Sequence, residues 1–220
     1  MAALKIDIVS DVICPWCYIG KRRLEKALAL VPGVAAEIRW LPFQLNPDMP
    51  AGGVPRAEYR KAKFGSLERA KGLDARVASE GRGEGIAFAF DRMGRTPNTV
   101  RAHQLIELAQ RQDAEDPAER RQGAGNAVVD KLFRAYFEEA RDVGDEAVLA
   151  EIAAACGVRR WPGEADAAGV AALEERMRGL GIAAVPTFIF AGTRGVSGAY
   201  PPQTLAALIR EVLGEVEAGV

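Results

Sequence analysis

Two cysteines three residues apart, Cys14 and Cys17, are the residues of this chain best suited to covalent chemistry. Residues at this spacing are neighbours on a helical turn, so the two sulfur atoms can approach bonding distance. At the start of a helix, unpaired backbone N–H groups and the positive end of the helix dipole stabilise a thiolate and lower its pKa. The pattern therefore predicts Cys14 as the attacking nucleophile of thiol–disulfide exchange and Cys17, one turn further in, as the resolving thiol.

Pro15 and Trp16 fill the turn between the two cysteines. A proline at the first helical position is well tolerated, because the N–H group that it lacks has no helical partner there. Trp16 and, just beyond the motif, Tyr18 offer apolar surface beside the thiol for an unfolded peptide or an aromatic ligand. Packing in the core is an equal interpretation for Tyr18.

Two other kinds of site can contain such a cysteine pair. A zinc site needs two more ligands, but only His103 and Cys156 remain and they form no second close pair, so no metal is predicted. A pair of ordinary buried cysteines is the other alternative, and the position at a strand-to-helix turn argues against it. Cys156 ends a helix of small apolar residues and is predicted to pack as a small hydrophobic side chain.

A histidine and an aspartate are candidates for supporting roles. His103, the only histidine, lies one turn from Val100 and Ile106 on a predicted helix, which is typical of a hydrogen-bonded core residue. A groove-facing position, where its near-neutral pKa would help to shuttle a proton, is the alternative. Asp11, three residues before Cys14, is predicted to accept a turn hydrogen bond, with tuning of the thiol as the second interpretation.

A second candidate site lies near the end of the chain, where Val185 and Pro186 precede a predicted strand. The general preference of X–Pro bonds favours a trans proline that begins an edge strand. A cis bond would instead expose the Val185 backbone beside the Cys14 sulfur. An extended substrate could then pair with that backbone as if adding a strand to the sheet.

The elements that must position these residues begin with a β-α-β unit. Residues 4–10 alternate in hydropathy and are rich in β-branched side chains, which predicts a strand. A helix follows the cysteine motif and ends at Pro32-Gly33. Residues 35–41 predict a second strand, and a crossover helix between two such strands implies that they are parallel.

The middle of the chain, from about residue 56 to residue 180, is mainly helical in pattern, with joints that contain Gly or Pro. The predicted pieces are a charged amphipathic stretch at 58–82, a short extended apolar segment at 85–90, helices at 99–110, 145–157 and 166–179, and a long helix that opens at Asp116-Pro117 and runs through Phe137. A hairpin of residues 187–190 and 195–197 and an amphipathic helix after Pro202 follow. This order predicts one α/β domain that hosts an all-helical insertion.

The composition limits the classes of partner. With 29 basic and 30 acidic residues the net charge is −1, and the basic residues are dispersed, so no nucleic-acid or membrane partner is predicted. Charges interrupt the first residues too early for a secretory signal, which predicts a cytoplasmic protein. A reducing compartment disfavours structural disulfides, so a close cysteine pair there is expected to be redox-active or metal-binding.

The cysteine turn after a strand, together with Val185-Pro186-Thr187-Phe188 before another strand, resembles the thioredoxin superfamily. The helical block resembles the DsbA branch of that superfamily. Similarity to the cytosolic FrnE-like members extends over nearly the whole chain. It is carried by residues 10–20 (SDVICPWCYIG), 43–47 (FQLNP), Asn98-Thr99 with Ala102-His103, 132–137 (LFRAYF) and 197–199 (SGA).

The resemblance implies a thioredoxin-like fold, formed by residues 1–50 and 182–220, with an all-helical insertion domain at 51–181. It implies dithiol–disulfide exchange on protein or small-molecule disulfides, of the protein disulfide reductase or isomerase type, with Cys14 and Cys17 as the active pair. No cofactor is implied. Glutathione as a redox partner or alternative substrate stays open, and so does the oligomeric state.

Trp16 departs from the DsbA pattern, in which a histidine occupies that position. Because an indole cannot place a cation beside the thiolate, Cys14 is expected to be less acidic and the disulfide less oxidising than in DsbA. The resemblance also reverses the preference at Pro186, which is expected to be cis. The predicted substrate-binding residues are Val185, Pro186, Tyr18 and His103.

Two rival functions stay open. Kappa-class glutathione transferases and hydroxychromene-carboxylate isomerases share this architecture, and the resemblance places a serine in them at the position of Cys14. The presence of both cysteines argues against that branch. The other rival is a non-catalytic peptide-binding or chaperone module, which an intact cysteine pair disfavours.

Overall fold

The computed structural model describes residues 3–115 and 123–218. The strands of this part are β1 (Leu4–Ser10), β2 (Ala36–Pro42), β3 (Val54–Pro55), β4 (Arg95–Thr96), β5 (Thr187–Phe190) and β6 (Arg194–Ser197). The helices are α1 (Pro15–Ala29), α2 (Arg56–Phe64), α3 (Leu67–Gly83), α4 (Val100–Glu115), α5 (Ala124–Phe137), α6 (Glu146–Ala155), α7 (Ala167–Gly179) and α8 (Pro202–Ala218). None of these helices is long and apolar enough to cross a membrane.

The central sheet has four strands in the order β2-β1-β5-β6. β1 and β2 are parallel and are joined through α1, which confirms the predicted β-α-β opening. β5 is antiparallel to β1 and forms a hairpin with β6, which confirms the second predicted unit. The amino-terminal and carboxy-terminal segments therefore meet in one sheet, and the cysteine motif follows the end of its central strand β1.

Both faces of the sheet are covered, because successive side chains of a strand point to opposite sides. Ile6 and Ile8 of β1 belong to the main core, together with Leu24 of α1 and Leu205 of α8. Val9 belongs to a second, smaller cluster, which contains Leu41, Phe43 and Met177 of α7. β1 is thus buried along one face, and its other face is buried only at the carboxyl end that leads into the cysteine motif, since Lys5 is exposed and Asp7 half-buried.

Helix α1 is tied to the helical segment between β2 and β5 by two kinds of contact. The ring of Tyr18 stacks on Phe133 of α5, with 5.0 Å between ring centroids and 15° between ring planes. The Lys21 ammonium, on a side chain that is only 4% exposed, lies 3.0 Å from the carboxylate of Asp130 on α5. An aromatic stack and a partly buried ion pair therefore hold α1 against the insertion.

The main difference from the predicted elements is a break in the charged stretch at 58–82. Gly65 has a φ of +86°, in the left-handed region that favours glycine, and it ends α2. The Ser66 side chain then accepts a hydrogen bond from the Arg69 N–H group and begins α3. The short pair β3–β4 was not predicted, since two-residue strands have no detectable hydropathy period.

The other helices of the middle segment follow the predictions closely. Asp145 and Asp166 cap α6 and α7 with side-chain hydrogen bonds, as the sequence indicates. The predicted helix start at Asp116-Pro117 lies outside the described residues, and the helix that runs through Phe137 begins at Ala124, after Gly123 at its N-cap. The division into residues 1–50 with 182–220 and an insertion at 51–181 stays a prediction.

Candidate active site

Cys14 is the residue that caps the start of α1. Its backbone is extended, with φ −91° and ψ 112°, and Pro15 takes the first helical position. The Cys14 N–H group donates to the Asp11 carbonyl oxygen at 3.0 Å, and the Cys17 N–H group donates to the Cys14 carbonyl oxygen at 3.0 Å. Both cysteines are free thiols and both are buried, Cys14 at 5% and Cys17 at 1% exposure.

The two thiols have opposite pKa shifts. The pKa of Cys14 is lowered, chiefly by a hydrogen bond from the Cys17 thiol and further by backbone N–H groups of the first helical turn. Burial and the negative charge of Asp11 oppose this shift. The pKa of Cys17 is raised well above its ordinary value, first by burial and then by the neighbouring Cys14. An acidic outer thiol backed by a protonated inner thiol is the asymmetry that the sequence predicts.

The loop before β5 brings the second candidate site to the first. The Val185–Pro186 bond is cis, as expected. The Cys14 sulfur lies 3.7 Å from the Val185 carbonyl oxygen, although 171 residues separate the two in the chain. The Gly198 N–H group donates to the Pro186 carbonyl oxygen at 2.7 Å and fixes the loop against the end of β6.

Gly20 of α1 is a positioning residue that the sequence does not reveal. A Cβ atom at this position would lie 3.0 Å from Pro186 Cγ and 3.2 Å from the Phe188 ring. A larger residue at this position would therefore push the Pro186 loop away from α1 by a few tenths of an ångström. A glycine inside a predicted helix gives no sign of such a contact, because the contact is made by a distant part of the chain.

Asp11 lies beneath the cysteine turn with no exposed surface. Its carboxylate accepts a hydrogen bond from the Leu45 N–H group at 2.8 Å, and its second oxygen lies 3.5 Å from the Ile13 nitrogen. The predicted turn role is therefore found. Because the same charge raises the pKa of Cys14, Asp11 also has the tuning role that was its alternative interpretation.

His103 is a core residue and does not face a groove. Its side chain is 3% exposed, and its Nε2 atom lies 3.5 Å from Oδ1 of the fully buried Asp11. Nε2 has no hydrogen-bond partner within the usual distance. The structure thus confirms the core position predicted for this histidine, but it shows no hydrogen bond at Nε2.

Tyr18 is fully buried as well, so it does not form part of the surface around the thiol. Its hydroxyl donates to the Glu138 carboxylate and accepts a hydrogen bond from Arg22 at 3.2 Å. Its ring lies among Phe133 and Phe137 of α5. Packing, the second interpretation of this residue, describes its position, and a direct contact with substrate would require the core to open.

Trp16 is half-buried and does lie beside an open cleft, as expected. The cleft has a volume of about 410 Å³ and lies between the first turn of α1 and the helices α2 and α3. We call it the α2 cleft; Pro15 and Trp16 form its end near Cys14, and Tyr59, Phe64 and Tyr136 are among its other walls. Within the described ranges, no group of three His, Cys, Asp or Glu side chains is placed to hold a metal ion.

The substitution Asp11→Asn is expected to lower the pKa of Cys14 further, because it removes the negative charge that raises it. An asparagine oxygen can still accept the Leu45 N–H bond. The pH dependence of Cys14 alkylation by iodoacetamide should therefore move to lower pH. Asp7→Asn, which removes a carboxylate paired with Arg39 at the exposed surface, is the control and should leave the profile in place. An unchanged or upward shift in Asp11→Asn would contradict the assigned electrostatics.

Residues 5–210 match the sequence model of the DSBA-like thioredoxin domain. The chain belongs to this family. The match spans the cysteine motif, the helical segment and the Pro186 loop, so the predicted thioredoxin-like fold with its helical insertion is confirmed for this DsbA-like chain. The similarity to the FrnE-like branch stays a finer prediction within the family.

Known structures agree with this assignment. The probable DsbA oxidoreductase SCO1869 from Streptomyces coelicolor is 31% identical, with a TM-score of 0.80 over 96% of this chain and 91% of that one. A 2-hydroxychromene-2-carboxylate isomerase is 16% identical, with a TM-score of 0.67 over 98% of each chain. The cytosolic disulfide reductase DsbM from Pseudomonas aeruginosa, in a structure with GSH, is 20% identical, with a TM-score of 0.61 over 95% of this chain and 98% of that one. At 16% and 20% identity, the isomerase and DsbM show only that they share the fold of this chain.

Among curated proteins, the uncharacterized protein YwbO from Bacillus subtilis (strain 168) is 24% identical over 153 residues. The match covers 70% of this DsbA-like chain and 66% of YwbO, so it spans just under two thirds of that relative's length.

Proposed function

We propose that this protein is a cytoplasmic dithiol–disulfide oxidoreductase that reduces or isomerises protein or small-molecule disulfides through Cys14 and Cys17. The proposal rests on the arrangement of the two cysteines and the Pro186 loop. Cys14 caps a helix, its pKa is lowered, and its sulfur lies 3.7 Å from the Val185 carbonyl oxygen at the cis-proline loop. A buried thiol of raised pKa lies one turn behind it.

The reaction begins when the Cys14 thiolate attacks one sulfur of the substrate disulfide. A Cys14–substrate disulfide forms, and the other substrate sulfur leaves as a thiolate. Cys17, once deprotonated, then attacks the Cys14 sulfur and releases the second substrate thiol. The substrate gains two electrons and the protein is left with a Cys14–Cys17 disulfide, which a dithiol or glutathione must reduce before the next turnover.

Val185 and Pro186 are proposed to hold an extended substrate next to Cys14. The Val185 backbone is half-buried and adjoins the sulfur, so a peptide that pairs with it would place its own disulfide at the nucleophile. A strand-like substrate would be recognised through its main chain, which allows many sequences to bind.

The direction of the reaction depends on how strongly the thiolate is stabilised. Trp16 contributes no positive charge to Cys14, so the reduced form is expected to be less stabilised than in DsbA. We expect a reduction potential closer to the value of about −270 mV for thioredoxin than to the value of about −120 mV for DsbA. Titration of the wild-type protein in glutathione redox buffers measures this potential, and a value as high as that of DsbA would overturn the reductase or isomerase assignment.

The rival functions give different results in simple assays. An oxidoreductase accelerates insulin reduction by dithiothreitol, whereas a glutathione transferase conjugates glutathione to a chloronitrobenzene. We expect the first activity. Conjugation without insulin reduction would favour the transferase or isomerase branch, and cellular function that survives Cys14→Ala would favour a binding module.

A further inference from the structure

The α2 cleft has an unequal balance of charge. Its walls carry four cationic side chains, Arg56, Arg60, Lys63 and Arg76, and one carboxylate, Asp74. Arg56 and Arg60 both pair with Asp74, so two guanidinium groups share a single negative charge. Among the described residues, Lys63 and Arg76 have no carboxylate partner. The cleft therefore has unpaired positive charge next to the active-site turn.

The same cleft is rich in aromatic surface. Trp16 and Tyr59 are among its lining residues, as are Phe64 and Phe90. The Arg60 guanidinium lies 4.4 Å above the centre of the Phe64 ring, and Lys63 Nζ lies 5.1 Å from the centre of the Tyr59 ring. A cation over a ring keeps its N–H groups at the edge of an apolar surface. A carboxylate can accept hydrogen bonds from these N–H groups.

The Arg60 side chain is packed into the wall of the cleft. The side chain is 14% exposed, and its guanidinium group contacts Asp74. Its Nε atom is buried and makes no hydrogen bond. Because this atom has almost no accessible surface, a ligand in the cleft would bind at the exposed cations Lys63 and Arg76. The volume of about 410 Å³ is within the range of small-molecule sites.

We propose that the α2 cleft binds a carboxylate-bearing aromatic or apolar group of the substrate and thereby gives this enzyme a preference for anionic disulfides. The inference rests on the proposed function, because it names the substrate class of that same thiol. Pro15 and Trp16 join the cleft to Cys14, so a ligand held there by its acidic group can present a disulfide to the nucleophile. A ligand of this kind would contact both the unpaired cations and the aromatic rings of the cleft.

The test compares two aromatic disulfides of different charge. Stopped-flow rates of reduced protein are measured with 5,5′-dithiobis(2-nitrobenzoate), which carries a carboxylate on each ring, and with 4,4′-dithiodipyridine, which is uncharged at pH 8. Lys63→Gln/Arg76→Gln removes the two unpaired cations and leaves the Asp74 pairs in place. Lys61→Gln/Arg69→Gln removes two exposed cations from the same helices outside the cleft and is the matched control.

We expect the cleft variant to react about five-fold more slowly with the anionic disulfide, from the combined effect of two exposed charges, and at an unchanged rate with the neutral one. The control variant should match the wild type with both. If both variants react equally slowly with the anionic disulfide, the protein's net charge and not the cleft explains the effect. If the cleft variant reacts as fast as the wild type, the cleft does not bind the carboxylate. Either result overturns the inference.

A ligand without sulfur separates this inference from the proposed function. Binding of 2-nitrobenzoate, followed through tryptophan fluorescence, should be weakened in the cleft variant and kept in the control. If 2-nitrobenzoate binds but Cys14 reacts with neither disulfide, the redox assignment fails and the anion site stands. If Cys14 reacts with the neutral disulfide and 2-nitrobenzoate binds all variants alike, the redox assignment stands and the anion site fails.

Discussion

Cys14→Ser is expected to abolish disulfide reduction, whereas Cys17→Ser should stop the reaction at a mixed disulfide on Cys14. Serine has no thiolate to attack a disulfide, so insulin reduction should fall by at least about a thousand-fold in Cys14→Ser, as for loss of a nucleophile in other enzymes. In Cys17→Ser the first attack still occurs, but nothing resolves the product. Mass spectrometry after incubation with a disulfide peptide should detect one covalent adduct, located on Cys14.

The third cysteine provides the matched control. Cys156 is half-buried at the end of α6, and burial raises the pKa of its thiol. Cys156→Ser should therefore keep full activity and form no stable adduct. Retained activity in Cys14→Ser, or an adduct on Cys156 in Cys17→Ser, would contradict the assignment of the nucleophile.

The same pair predicts how reactivity depends on pH. Because the pKa of Cys14 is lowered, its alkylation should be half-maximal below the ordinary cysteine value of about 8.5 and should stay fast where a free cysteine is mostly protonated. Cys17→Ala removes the largest cause of that shift, so its profile should move to higher pH. An unmoved profile in Cys17→Ala would show that the helix start alone lowers the pKa.

Phe133→Ala should greatly lower the free energy of unfolding. Phe133 is fully buried in α5, and its ring stacks on Tyr18 with 5.0 Å between centroids. Its centroid lies 6.3 Å from those of Trp40, which it meets edge-on, and Phe137, which is tilted against it. Truncation of a buried phenylalanine leaves a cavity and costs about 3–5 kcal/mol. Urea unfolding should show this as a lower midpoint with an unchanged slope.

Two controls separate the stack from general sensitivity of the fold. Phe133→Leu keeps most of the volume and should cost clearly less than the alanine variant. Tyr200→Ala, at an aromatic residue that is 43% exposed, should change the free energy of unfolding by less than about 0.5 kcal/mol. A cost below about 1 kcal/mol for Phe133→Ala would mean that the two parts of the chain are not joined through this cluster.

Local patterns explain why the strands and the cysteine turn could be predicted from the sequence. β1 alternates between apolar and polar side chains over its first residues, and the order Cys14-Pro15 is enough to predict a cysteine at the N-cap position with a proline after it. The carboxylates that start α6 and α7 are equally local, because each cap bonds within its own first turn. Such features need no knowledge of the rest of the chain.

Long-range contacts explain what the sequence left undecided. Tyr18 follows the active-site motif directly, yet its partners Phe133 and Glu138 come from α5 and the residue after it, more than a hundred positions away. The helical period placed His103 on an apolar face, but the facing carboxylate is Asp11 of another segment. The charges of the α2 cleft were scattered through a stretch predicted to be amphipathic, and only the break at Gly65 folds them around one cavity.

The anchoring of α1 through Lys21 and Tyr18 has a consequence for how the protein could evolve or be shortened. Cys14 lies at the start of α1, and Tyr18 and Lys21, which contact the insertion, lie on the next turns of the same helix. Removing the helical insertion would expose the Tyr18 ring and would take Asp130 from Lys21, which would keep Glu25 of its own helix as a carboxylate partner. The insertion therefore supports the helix that begins after Cys14, and a shortened chain without it is expected to expose apolar surface and to lose stability.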